Sequence, residues 1–547
     1  MLQRAPLSSN ARRARVSRSA IIPAPVGGWD ASSALAAMPK ERAVKLENWF
    51  PQPGWVEVRR GYDYHAWDIV SDTTPVQTLM SWQGQASSKM FAAAGTDFYN
   101  ITSEGAATAQ SLTMTNSRWQ WVNMTNSGNT YLYAVNGVDE PIHYNGSSWV
   151  EPTITGVTAT TLVNINVHKK RLWFCAVDST KAWYLAVDAI SGAATSFELG
   201  STFSRGGYLM AMATWTRDGG SGSDDYAVFV SSRGQVTIFQ GTDPSSASTW
   251  ALVGVFDVPA PIGRRCFTKF GADVLLVTVE GLFPLSQILS VDSSQTQRLA
   301  LTANIQNAMV DATRDHADNY GWEACVYSKG TRLILNVPHQ ENVEAEQYVM
   351  NTLTGAWCKF TNHNANCWLV FNDRLFFGGN DGAVYEADSG SADVATPITA
   401  IGETAYQHFQ SPGKTKRATM VQPLITASGV NRPSLGISVD FQETSELSTP
   451  NVETNIDGLV WDEGEWDSES WAGTTQQIND WISVPALGRF LSMKFQAQTG
   501  LESQAAGVGS YWGISQWGDP WGGTEFSADE TMRLNGAVVL YEIGEYL

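Results

Sequence analysis

The chain has 547 residues, 35 basic and 54 acidic, for a formal net charge of −19; that length allows two to four domains and a sizeable core without a disulfide, metal or partner for support. Charged residues are only 16% of the total, against roughly 25% in ordinary soluble domains, and the 22 Trp, 17 Tyr and 21 Phe suit pleated, half-buried surfaces. The acidic balance excludes a protein whose whole surface clamps nucleic acid by neutralising phosphates, but not one that handles DNA as cargo.

The first sixty or so residues read as an arm: Arg4, Arg12, Arg13, Arg15 and Arg18 among small polar residues, then Pro23, Pro25, Pro39, Pro51 and Pro53. The arginines are not followed by the apolar core of a secretory signal, which predicts synthesis in the cytosol. Residues 1–62 cannot fold alone; Trp49, Phe50 and Trp55 need burial, so an extended docking arm is expected, ordered by another domain or a neighbouring subunit.

From Thr78 to Asp388 the signal is short strand, tight turn, short strand. Seven units are read: Lys89 to Ile101, Thr130 to Tyr144 around Asn136-Gly137, Arg171 to Ala186, Tyr226 to Phe239, Asp273 to Leu285, Ala324 to Val337, and Arg374 to Glu386 around Asn380-Asp381-Gly382. Asp97, Asp139 and Lys181 follow one another at the length of a four-stranded propeller blade. Runs such as Leu79–Trp82, Trp119–Trp121, Val163–Val167 and Met212–Trp215 precede the hairpins and read as outer strands of the same blades. Near-continuous apolar strands, as at Val274–Val279, fit blades buried on both faces. The expectation for 63–390 is an all-β propeller of about seven blades, with six or an irregular sandwich as alternatives. Ile305, Ala308, Met309 and Ala312 predict one inserted helix over 303–315.

After Asp388 strands come at longer intervals, as in Ala400–Tyr406, Met420–Thr426, Leu435–Phe441, Phe490–Phe495 and Ala537–Tyr541. Residues 391–547 therefore read as a separate antiparallel, sandwich-like domain. Two excursions interrupt it: 453–481, with Asp462, Glu463, Glu465, Asp467 and Glu469 among tryptophans, and 507–523, with Trp512, Trp517 and Trp521 among glycines.

Catalytic patterns are weak. The run Gly219-Gly-Ser-Gly-Ser has no helix after it and reads as a loop, not a nucleophile elbow. Cys358, His363 and Cys367 have ligand-like spacing but no fourth partner, and read as buried thiols beside a loop histidine. Five cysteines without a Cys-x-x-Cys pair argue against a disulfide framework. No stretch reaches the roughly 18 to 20 apolar residues of a membrane helix. No catalytic residue, metal or cofactor is expected.

Two segments resemble a known family. Leu46-Glu-Asn-Trp-Phe-Pro-Gln-Pro-Gly-Trp-Val-Glu-Val-Arg-Arg-Gly-Tyr62 resembles the opening motif of tail tube or nozzle proteins of short-tailed bacteriophages, and Tyr348–Phe360 with Asn366–Tyr385 is similar to blade segments of that family. The resemblance spans roughly residues 40 to 390. It implies a structural virion protein of the tail and no enzyme: a ring, six-membered in that family, below the portal and its head-to-tail adaptor ring. Such a ring retains genomic double-stranded DNA, conducts it during ejection and carries tail fibres or tailspikes. On that footing Asp462, Glu463, Glu465, Asp467 and Glu469 are candidates to line the DNA channel, and Arg12, Arg13, Trp49, Phe50 and Trp55 to dock the adaptor or a neighbouring subunit. The competing expectations are a sialidase-like propeller enzyme and a glycan-binding receptor module. Against the enzyme, Ser245-Ser-Ala-Ser-Thr-Trp250 lacks the Asp and Gly of the repeated sialidase turn.

Overall fold

The computed structural model describes residues 17–70, 73–218, 223–288, 300–428, 433–450, 475–500 and 531–544. Seven blades follow one another among them. Blade 1 is Val76–Gln83, Ser88–Ala94, Asp97–Asn100 and Thr108–Thr113; blade 2 is Gln120–Thr125, Thr130–Val135, Ile142–Tyr144 and Trp149–Val150. Blade 3 is Leu162–His168, Arg171–Ala176, Lys181–Tyr184 and Thr195–Glu198; blade 4 is Leu209–Asp218, Ser223–Ser231, Gln235–Gly241 and Trp250–Asp257. Blade 5 has three strands, Phe267–Phe270, Asp273–Thr278 and Gly281–Pro284, and blade 6 four, Glu323–Tyr327, Arg332–Gln340, Glu344–Asn351 and Trp357–Phe360. Blade 7 is Cys367–Phe371, Arg374–Gly378 and Val384–Ala387, completed by Tyr62–Trp67 from far upstream, antiparallel to Val384–Ala387.

That borrowed strand joins the two ends of the propeller, and blade 7 packs on blade 1 through Cys367–Phe371 against Val76–Gln83. The contact needs Gly378, where an added Cβ would lie 2.6 Å from Val76 O. The predicted hairpins appear at their positions, and Gly137 turns the blade 2 hairpin at φ 79°, a conformation a Cβ disfavours. The strands expected to be outer are the innermost of their blades. Val76–Gln83, Gln120–Thr125, Leu162–His168 and Leu209–Asp218 pack on the neighbouring blades, and in blades 1 to 4 the last strand is the exposed one. The apolar runs mark the strands with a neighbour on either side, which is the physical reason for the reversal.

The helix Gln306–His316 lies between blades 5 and 6, beginning with a 3-10 turn at Ala303–Ile305. Ile305, Met309 and Ala312 are its buried face, packed with Leu282, Leu335 and Trp357.

The C-terminal strands form two facing sheets, and the arm supplies strands to both. In the first, Thr531–Ile543 lies between Lys416–Ser428 and the arm strands Ser17–Pro23 and Trp55–Val58, the latter paired in turn with Trp49–Gln52. In the second, Arg42–Glu47 pairs with Thr396–Thr404, followed by Leu491–Thr499 and Ser434–Val439. A bridge from Glu47 to Lys359 continues this sheet into blade 6. Ile22, Val56, Val421 and Val539 face Ala400, Met493 and Phe495 across one core that runs on to Val349 and Phe377 of blades 6 and 7. Burying each such aliphatic or aromatic side chain contributes roughly 1.5–3 kcal/mol.

Candidate functional site

Two polar clusters stand out, one where arm, propeller and C-terminal sheets meet and one on the propeller axis. The first is built from the segments that carry the family resemblance. Asn48 has φ 57°, a left-handed conformation that Asn tolerates better than most residues. Its Nδ2 donates to Thr361 Oγ1 and to Thr399 O, both at 2.8 Å, and its Oδ1 accepts from Arg59 Nε and from Thr361 N, both at 2.9 Å. Arg59 grips Asp393 with both arms of its guanidinium, Nη1 to Oδ1 at 2.7 Å and Nη2 to Oδ2 at 2.6 Å, and Nη2 also donates to Thr361 O at 2.8 Å. Such a fork-to-fork pair fixes geometry as well as charge. Asn351 Nδ2 donates to Pro51 O at 2.8 Å. Gly61 must be glycine, because a Cβ there would sit 1.7 Å from Ala392 O.

The second cluster begins at Arg264 and Arg265, just ahead of blade 5. Arg265 Nη2 donates to Gln77 O at 3.0 Å and Thr78 Oγ1 at 2.9 Å in blade 1, and to Trp119 O at 3.2 Å beside blade 2. Its Nη1 reaches Glu323 Oε2 of blade 6 at 3.1 Å, and Glu323 Oε1 accepts from Trp368 N of blade 7. Arg264 Nη1 donates to Leu209 O at 2.9 Å and Met210 O at 2.7 Å in blade 4, while Asn164 of blade 3 donates to Arg264 O at 3.3 Å. Two adjacent arginines and one glutamate thus reach all seven blades, which fills the propeller axis with side chains.

Charge at the axis is balanced internally. Burial opposes the Arg265 charge, but Tyr320 and Glu323 more than restore it and its pKa is raised. Burial pushes the Glu323 carboxyl up while Arg265 pulls it back, and burial pushes the Tyr320 hydroxyl up to about 12. Tyr320 OH donates to Gln77 O at 2.9 Å. Beside the axis a hollow of about 380 Å³ opens between blades 1 and 2, lined by Thr74, Pro75, Gln77, Thr115, Asn116 and Arg118 among others. Arg118 is held by Glu341 and lies 4.5 Å from the Tyr320 ring.

The residues singled out from the sequence are scattered. Asp462, Glu463, Glu465, Asp467, Glu469, Arg12 and Arg13 lie outside the described residues, as do the tryptophans of 507–523 and the glycine run at 219–222. Trp49 and Phe50, expected as docking residues, are instead 1% and 0% exposed in this chain's own core. Trp49 packs edge-on to Phe495 at 5.2 Å, and Phe50 lies under the Arg332 guanidinium at 4.9 Å; their large apolar area is taken up by the chain's own sheets. Trp55 is half-buried with the Arg533 guanidinium 5.2 Å from its ring. Cys358 and Cys367 donate to Val349 O and Val76 O, and His363 lies tilted against Tyr62 and edge-on to Phe377. Burial near Arg59 and Arg332 pushes the His363 pKa well down. Among the described residues no group of three or more His, Cys, Asp or Glu is arranged to hold a metal ion, and no helix is long and apolar enough to cross a membrane. The axial arginines are not among the residues singled out from the sequence; an adjacent arginine pair just ahead of an apolar strand is the one local trace they leave.

The chain matches no protein-family model and no curated protein. Among solved structures it is similar to BBS1N from its complex with ARL6DN (9% identity over 60% of this chain and 97% of that one, TM-score 0.38). It is likewise similar to a streptogramin B lyase (9%, 61% and 99%, TM-score 0.39) and to the WD40 propeller domain of Doa1 (8%, 60% and 96%, TM-score 0.37). The β-propeller assignment rests on the seven blades and their closure described above.

Proposed function

We propose that this chain is a structural subunit of the tail nozzle of a short-tailed bacteriophage. In this reading it forms a ring that continues the portal and adaptor channel, retains packaged DNA, conducts it during ejection and supports fibres or spikes, and it performs no catalysis. The observation that carries the reading is the meeting of the two resembling segments: Asn48, Pro51 and Arg59 of the first are hydrogen-bonded to Lys359, Asn351 and Thr361 in and beside the second, some 300 residues away. Residues that identify the resemblance therefore share one mechanical task, locking the propeller to the C-terminal sheets.

The filled axis supports the same reading in a specific form. A propeller whose centre is occupied by Arg264, Arg265 and Glu323 offers DNA no passage through itself, so the conduit runs between subunits with the propellers outside it. A net charge of −19 favours a wall that does not trap sliding phosphates. The axial groups also bond to one another, which leaves a substrate carboxylate little to bind there.

Cryo-electron microscopy of the purified protein and of the virion tests this. A ring with an axial channel, located in the tail, is the expected result. A monomer absent from the tail that releases sugar from a glycan, or binds one on an array, would replace the reading with a propeller enzyme or receptor module.

A further inference from the structure

We propose that one corner of the C-terminal sheets, formed by the turns at 409–414, 440–441 and 487–490, receives the acidic tryptophan run 461–471 of a second copy of this chain, and that this contact builds the ring. The inference rests on the ring-forming reading above and names the two surfaces that meet.

The corner is strained and firmly held. Phe409, Gln410, Asp440 and Phe441 all have left-handed backbones, at φ 44°, 57°, 48° and 68°. Val439 and Gln442 bridge across the turn at 440–441, a two-residue hairpin loop for which Asn-Gly or Asp-Gly is the usual solution. A Phe where Gly is usual is a steric outlier, and such strain persists only where the surroundings over-determine it. Two polar side chains do so here. Lys416 is fully buried, and its Nζ donates to Ser411 O at 2.8 Å, Lys414 O at 3.0 Å and Arg489 O at 2.7 Å. Asp440 Oδ1 accepts from Arg489 N at 2.8 Å and Phe490 N at 2.9 Å. Gly488 lets the turns close, since an added Cβ would lie 2.8 Å from Val439 Cβ.

What the clamped turns present is apolar and basic. Phe441 rests on Tyr406 and Phe490, each at 5.0 Å, yet is 40% exposed, and Leu487 is 65% exposed. Arg417 stands across the strand from Leu487, and both it and Arg489 are exposed. Lys414, Lys416, Arg417 and Arg489 outnumber Asp440 and Glu542, while Glu443 is paired with Lys494 at 2.7 Å. In a chain of net charge −19, a strained aromatic beside a local excess of cations fits an acidic, aromatic partner.

The chain carries that partner. Residues 461–471, outside the described residues, place Asp462, Glu463, Glu465, Asp467 and Glu469 among Trp461, Trp466 and Trp471, with no basic residue. The described chain stops at Pro450 and resumes at Thr475, both toward the other end of the sheets. Ser448 pairs with Leu435 and not with Val439, and Thr475 lies opposite Ser428, the far end of the strand that starts at Lys416. A head-to-tail contact joins unlike surfaces, and these two differ in charge and in position. Tryptophan then meets Phe441 and Leu487, and carboxylate meets Arg417 and Arg489.

The test uses the full chain in two charge-reversed forms, Arg417→Glu/Arg489→Glu at the corner and Asp462→Lys/Glu463→Lys/Glu465→Lys/Asp467→Lys in the run. Native mass spectrometry counts subunits in the purified chain and in rings recovered from virions complemented with it. Circular dichroism checks that each variant melts within a few degrees of wild type. The expected result is loss of the ring in each variant alone and its return when the two are mixed, because the reversed corner of one receives the reversed run of the other. A folded variant of either kind that still forms rings alone would overturn this contact and leave the nozzle reading standing. Loss in both without rescue on mixing would overturn it as well, by assigning the run to its own chain. A wild-type chain that forms no ring, alone or in the virion, would remove both.

Discussion

Arg59 and Asp393 are 334 positions apart in sequence and share a two-pronged ion pair with side chains 0% and 2% exposed. The pair pins the end of the arm to the link between blade 7 and the C-terminal sheets, beside Asn48 and Thr361. Removing one member of a buried pair leaves an uncompensated charge, at a cost of about 3–5 kcal/mol. Arg59→Met and Asp393→Leu are each expected to lower stability by that much, and the double variant by less than the sum. Urea denaturation of the four proteins, fitted as a double-mutant cycle, measures the coupling; additive losses would show that the pair contributes no interaction of its own.

The axial arginine makes a separable prediction. Arg265→Lys keeps the charge but cannot span the fork from Thr78 to Glu323, because an ammonium lacks the planar guanidinium's reach. Arg265→Lys and Arg265→Ala are both expected to destabilise the propeller by about 2–4 kcal/mol, and Glu323→Gln by less, since an amide oxygen can still accept from Trp368 N. Thermal melts followed by tryptophan fluorescence would register the order; an Arg265→Ala protein with an unchanged melt would show that the blades close without their hub.

Much of the propeller was legible because its information is local. Turns such as Asn136-Gly137 and Asn380-Asp381-Gly382 fall between strands whose apolar runs announce burial on two faces, and the inserted helix declared itself through Ile305, Met309 and Ala312. What was not legible is long-range. Nothing near Tyr62–Trp67 says that it completes a blade begun at Cys367, and nothing near Trp49 or Phe50 says whether their apolar area is covered by a partner or by Phe495 and Phe360 of the same chain. The axial hub was hidden for the same reason: Arg265, Thr78 and Glu323 come from three blades and share no sequence neighbourhood. Inner and outer strands were exchanged because strand order within a blade fixes position only once the ring is known to close.

A pH-dependent contribution is expected from His339 and Glu346, which meet at 3.0 Å on blade 6. The hydrogen bond to Glu346 raises the His339 pKa above its ordinary 6.5, so that contribution is complete below 6.5 and is lost as pH climbs through the raised value. Burial pushes the Glu346 carboxyl up, but His339 and Lys359 outweigh it and the pKa is lowered from 4.5; its share is complete above 4.5 and fades as pH falls through the lowered value. Stabilisation by the pair therefore peaks at mildly acidic pH, while Lys359 continues to hold Glu346 at higher pH. His339→Gln is expected to cost on the order of 1 kcal/mol at pH 5.5 and little at pH 8.5. Denaturation midpoints at the two values decide it, and an equal cost at both would assign His339 a packing role alone.

The five thiols offer a direct check on the packed core. Cys175, Cys266, Cys358 and Cys367 are buried and Cys325 is partly so, and none is in a disulfide. Burial pushes Cys175, Cys266 and Cys367 up to about 12 and moves Cys325 and Cys358 in the same direction. Because the thiolate is the reacting species, a thiol with a pKa near 12 presents about a thousandfold less of it at pH 8 than an ordinary cysteine. Native protein is therefore expected to react with an aromatic disulfide reagent far more slowly than free thiol, and denatured protein to release five equivalents at once. Two or more fast equivalents in the folded state would mean that blades open readily enough to expose buried thiols such as Cys358, where the propeller meets the C-terminal sheets, and Cys367, where blade 7 meets blade 1.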